Sequence, residues 1–229
     1  MKKVLIGVAV VLTVALVSFF TVVPMVVDMQ MNTVVNTKIP AVSPAGSALH
    51  RRIFIADLHA DELLWGRDLL TRVERGHVDL PRLQEGKVAL QVFSVVTKTP
   101  RDMNYDKNTG ETENIALLSL AQRWPAATRT SLRARAVYQA EKLQDAVLRA
   151  AGAITLITTR DTLMAFARRR GGDPMQVGAV LAIEGLHALD GQLESVDVLF
   201  NHGYRMMGLT HFFDLSLIHI SEPTRPRLI

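Results

Sequence analysis

Two places in the chain pair an imidazole with a carboxylate two residues later: His59-Ala60-Asp61 and His77-Val78-Asp79. Side chains two apart on an extended strand share a face, so such a pair can grip one ion together. An imidazole nitrogen beside a carboxylate oxygen suits zinc or a similar divalent cation. Context separates the two pairs. The first follows the apolar run Ile53-Phe54-Ile55-Ala56, so a strand delivers it. The second follows a charged stretch and precedes Pro81, a loop setting in which capping and local hydrogen bonds occupy such side chains. Glu184 closes the run Leu181-Ala182-Ile183, where a carboxylate needs a cation or hydrogen-bond donors. Alone it reads equally as a salt-bridged strand end or a ligand. His211 closes Gly208-Leu209-Thr210 in the same way. Together His59, Asp61, Glu184 and His211 sit at one end of three strands, as barrel active sites are assembled. Among the other histidines, His187 follows Glu184 by three and reads as orienting its loop. His202 falls in a last helical turn, where the dipole favours a cation, and His50 lies in a linker.

Strands and helices must alternate to present these residues. Ile53 to Ala56, Val88 to Val96, Ile154 to Thr158, Val177 to Ile183 and Tyr204 to Leu209 read as five short strands. Their continuous apolar character suits strands buried on both faces of a parallel sheet. Between them, Leu132, Ala136, Ala140, Leu143, Val147 and Ala150 recur at helical spacing within residues 130–150 and share one face. A helix over residues 161–170 starts at Asp161 as its N-cap and ends at Gly171-Gly172. Another over residues 192–202 ends at Gly203. The alternation predicts an α/β fold with a parallel sheet. A closed (β/α)8 barrel takes eight such units and about 250 residues. Residues 51–214 hold five strands, so a barrel here is partial.

Composition limits the rest. With 229 residues, 48% hydrophobic and 21% charged, the chain is globular rather than disordered. Having no cysteine excludes a disulfide scaffold, thiolate-bound zinc, an iron–sulfur site and a thiol nucleophile. The net charge is only +4, and no Lys/Arg run is interleaved with aromatics, so nucleic acid is not an expected partner. After Lys2-Lys3, residues 4–27 carry no charge. As a helix they would extend about 36 Å, against a hydrocarbon core of about 30 Å. We read residues 1–27 as a single transmembrane anchor, a long signal sequence being the alternative. The lysines then stay in the cytoplasm and the rest is exported, a bacterial-type inner-membrane arrangement. Residues 28–50 are polar and proline-containing and read as a linker.

At these residues the chain resembles the membrane dipeptidase (renal dipeptidase-like) family, peptidase family M19. The segments IADLHADELLWGRDLL, GHVDLPRLQEGKVALQVFS, AIEGLHALDG and GYRMMGLTHFFD carry the resemblance, in family order over roughly residues 51–214. It implies a zinc-dependent (β/α)8 barrel that hydrolyses small dipeptides through a metal-activated water. By the same resemblance His59 and Asp61 hold one of two zinc ions, Glu184 bridges both, and His211 contacts substrate near the reacting carbonyl. The family's two further zinc-binding histidines, its substrate-carboxylate arginine and its catalytic aspartate have no matching motif here. The chain as written is therefore expected to be inactive. The segment LSLIHISEPTRPRLI, residues 215–229, breaks from the family pattern and resembles a translated sequencing adapter, so we read it as a non-native tail. Two rival functions are a metal-dependent lactone or amide hydrolase of the amidohydrolase type and a non-catalytic, membrane-anchored fragment.

Overall fold

The computed structural model describes residues 1–35 and 41–213, so the tail read at residues 215–229 lies outside the described residues. Five strands form one parallel sheet: β1 (Ile55–Ala60), β2 (Val88–Val96), β3 (Ile154–Leu156), β4 (Val177–Glu184) and β5 (Tyr204–Met207). Seven helices accompany them: α1 (Lys2–Met31), α2 (Pro44–His50), α3 (Leu80–Glu85), α4 (Ile115–Ala121), α5 (Leu132–Arg149), α6 (Arg160–Gly172) and α7 (Ser195–Asn201). The expected α/β class and parallel sheet are both present.

β2 and β4 are the centre of the sheet. They pair from Leu90↔Gly178 to Val96↔Glu184, and β1 flanks β2. The other edge of β4 is shared: β3 takes its beginning, from Ile154↔Val177, and β5 its end, from Leu181↔Tyr204. The described sheet is therefore an open arc of a barrel. Because all strands run in parallel, their C-terminal ends emerge on one side. The core packs Phe93, Val95, Ala179, Leu181 and Ile183 from the sheet against Ala136, Ala140 and Leu143 of α5.

Helix α5 also fastens the loops at that end. Asp190, in the loop after β4, accepts from Ser131 Oγ (2.6 Å) and Leu132 N (2.9 Å) at the α5 N-terminus. Arg135 donates to Thr97 O (2.7 Å) and Gln139 to Val96 O (3.0 Å), both where β2 ends. Lys142 donates to Leu63 O (2.7 Å), in the turn after β1.

Several elements differ from the sequence reading. Ile53 and Phe54 precede β1 and are exposed, while the strand continues to Ala60. Pairing with β2, which begins at Ile55↔Val88, sets that register. Thr159, not Asp161, caps α6, its hydroxyl accepting from Thr162 N. The first helix continues past residue 27 to Met31, because Asp28 finds two arginine partners. Inside the segment read as linker, Ser43 caps α2 with Pro44 at its first turn.

Candidate metal centre

The C-terminal ends of β1 and β4 meet through β2. His59 lies near the end of β1, and Asp61 begins the 3-10 turn that follows. Glu184 is the last residue of β4, opposite Val96 of β2. His59 Nε2 stands 3.3 Å from Asp61 Oδ1 and 2.9 Å from Glu184 Oε1. One ligand atom from each of the three lies within 4.8 Å of the others.

The turn after β4 brings in the fourth residue. Gly185 takes φ +88°, and a β-carbon there would run into the His187 ring and crowd Cβ of His211. Glycine alone is at ease in this position. Gly208 N donates to Ile183 O (2.9 Å), and Gly185 N donates back to Gly208 O (3.1 Å). These bonds tie the segment beyond β5 to the tip of β4. His211 Nε2 then lies 2.6 Å from Glu184 Oε2, its Nδ1 facing Lys98 O at 3.4 Å.

The two carboxyls of the cluster are shifted in opposite directions. Burial raises the Asp61 carboxyl to about 6, and the neighbouring Glu184 charge adds to the shift. Asp61 Oδ1 is itself buried without a hydrogen bond. Burial acts against Glu184 as well, yet hydrogen bonds from His211 and from Ser94 Oγ (2.6 Å) outweigh it and hold the carboxyl at about 2. Two carboxylates and an exposed imidazole converge, a donor set that fits a divalent ion such as zinc.

The family comparison decides the ancestry. A model of the membrane dipeptidase family, peptidase family M19, matches residues 45–218. The chain belongs to this family. Two solved structures also resemble it. Dipeptidase AC, a metallopeptidase of family M19, is 22% identical with a TM-score of 0.48, over 69% of this chain and 43% of that one. A metallopeptidase from Rhodobacter sphaeroides, liganded with a phosphinate mimic of L-Ala-D-Ala, is 20% identical with a TM-score of 0.48. That match covers 69% of this chain and 45% of the other. The M19 chain thus spans less than half the length of either. None of the curated proteins matches it.

Among the described residues, the second His-x-Asp pair of this M19 chain does not join this cluster. Asp79 caps α3, accepting from Arg82 N (2.9 Å), and His77 is exposed. His187 packs edge-on to Phe213 behind the Glu184 turn, where burial, aided by the positive surroundings of His211, Lys98 and Arg135, lowers its ring to about 4. His202 bonds back to Val198 O at the end of α7, and His50 meets Gly86 O. Sequence reasoning missed Ser94. Its signal is a lone hydroxyl within the apolar run Val92-Phe93-Ser94-Val95-Val96, which must find a partner once buried.

Proposed function

We propose that this M19 chain carries part of a two-zinc centre that serves the hydrolysis of small dipeptides. The supporting observation is the convergence of His59, Asp61 and Glu184 at the strand ends. In this reading His59 and Asp61 would hold one ion, and Glu184 would be shared between two. Zinc, when bound, supplies Lewis acidity toward the peptide carbonyl and lowers the pKa of water. Ser94 and His211 keep Glu184 charged and aimed. His211 is the residue we assign to the substrate carbonyl, and its Nε2 must leave Glu184 Oε2 to serve there. His59 and Asp61 are the more exposed partners, with side chains 59% and 40% accessible. The apolar helix α1, whose most apolar 18-residue stretch has a mean hydropathy of 2.7, supports a single-pass membrane anchor with the domain exported.

Zinc binding to the full chain, measured by equilibrium dialysis, tests the centre. Replacing both His59 and Asp61 by Ala should abolish binding, whereas His77→Ala should leave it intact. Equal losses from both changes would overturn the assignment. For the anchor, the chain should stay with membranes through a high-salt wash and leave only with detergent, because salt screens charge but does not extract an apolar helix.

A further inference from the structure

The seam between α1 and the domain holds charged groups that the metal centre does not use. Asp28, near the end of α1, is buried at 5% exposure and ion-pairs with Arg67 and Arg75. Arg67 also reaches Glu62 at 2.7 Å. The Arg67 side chain is 5% exposed, yet none of its three nitrogens makes a well-aligned hydrogen bond. A guanidinium offers five donors in a fixed fork that fits phosphate as well as carboxylate, so Arg67 has donors to spare. Gly76, at φ +85°, presses against this guanidinium where no β-carbon would fit.

Beside it opens a cavity of about 240 Å³. One wall is apolar, from Phe20, Pro24 and Met25 of α1, and the other is cationic, from Arg67, Arg75 and Arg123. Three arginines line the cavity with one carboxylate, Asp28, while Glu62 stands behind Arg67, which leaves one positive charge in excess. Arg123 is exposed and has no carboxylate partner among the described residues.

The position of the cavity selects the ligand class. Residues 4–27 of α1 carry no charge and suit hydrocarbon, and residues 4–17 among them are all exposed. Charged groups avoid the bilayer core, so Asp28 and the arginines stand at headgroup level. Here an apolar wall continues from the membrane segment and meets an arginine cluster. That pairing matches a glycerophospholipid, with its acyl and glycerol part against Phe20, Pro24 and Met25 and its phosphate on the guanidinium groups. We propose that the seam between α1 and the domain binds the phosphate of an anionic phospholipid. The proposal rests on the reading of α1 as a membrane anchor. A bound lipid would lock the helix to the domain and so hold the metal centre at a set attitude to the bilayer.

Trp65 lines the same cavity and reports on it. The full chain is reconstituted into phosphatidylcholine vesicles containing phosphatidylglycerol, with bromine on the acyl chains of one lipid or the other. Brominated phosphatidylglycerol should quench tryptophan fluorescence more strongly than brominated phosphatidylcholine at equal mole fraction. The double variant Arg75→Gln/Arg123→Gln should lose that preference, at about fivefold per arginine removed. Equal quenching by the two lipids, or an undiminished preference in the variant, would overturn the proposal. Excess inorganic phosphate that erases the preference at constant ionic strength would show a site for free phosphate and overturn the lipid assignment. Vesicle flotation is scored separately. A chain that fails to float refutes the anchor, and the lipid site with it, whereas one that floats but is quenched equally refutes the site alone.

Discussion

Glu184 is the most constrained side chain of the site. Ser94, His59 and His211 all face its two oxygens, at 2.6, 2.9 and 2.6 Å. A carboxylate held this way is oriented by the protein's own groups. Ser94→Ala removes one of the three holds from a small buried residue, so the fold should survive. Groups that orient metal ligands typically cost 10–100-fold in affinity when removed, and zinc affinity should fall by about that factor in a competitive chelator titration. Glu184→Gln should keep the fold while weakening zinc binding further, because the amide conserves shape but loses the charge that two cations need. Thermal unfolding near the parent temperature, combined with reduced zinc stoichiometry, is the expected result. Unchanged stoichiometry in this variant would remove Glu184 from the ligand set.

At the scale of elements, the glycine after β4 makes a sharp test. Gly185 and Gly191 both have positive φ, but only Gly185 has neighbours where a β-carbon would stand. Gly191→Ala should therefore cost about 1 kcal/mol from backbone strain alone. Gly185→Ala should cost clearly more in chemical denaturation and should also weaken zinc binding, because His187 and His211 must move. Strand interiors were legible from the residues: Val88 to Val96 is matched end to end, and the tip of β4 carries Glu184 as expected. Strand and helix ends were less so. β1 is an edge strand whose limits depend on a partner far along the chain, and Ile53 and Phe54 look like strand residues until that partner is in place. At α6 two cap residues compete, and the hydroxyl of Thr159 wins over the carboxylate of Asp161. The four candidate residues stand out in the sequence because each follows an apolar run, while their mutual distances arise from the glycine turns and the pairing of β2 with β4.

For the whole molecule, the charged seam makes α1 part of the domain rather than a leash. Asp28→Ala would leave Arg67 buried with Glu62 as its remaining partner and Arg75 without its carboxylate. Breaking a buried pair from one side costs about 3 kcal/mol or more, so the melting temperature of the detergent-solubilised chain should fall by several degrees. Little change would mean that helix and domain are only loosely joined. Helix α5 has a different reach. Its bonds span 38 residues back to Thr97, 79 back to Leu63 and 59 forward to Asp190. Loops that follow three strands are thus pinned to a single rod. Their amide protons should accordingly exchange with solvent as one cooperative unit with α5, protected together and released together. Lys142→Met cuts the tie to the turn after β1, along with a contact to the Trp124 ring, and leaves those to Thr97 and Asp190 in place. Faster exchange confined to residues 62–66 would show separate fastenings, whereas acceleration that spreads to residues 97–99 and 186–190 would show that the three loops open and close in concert.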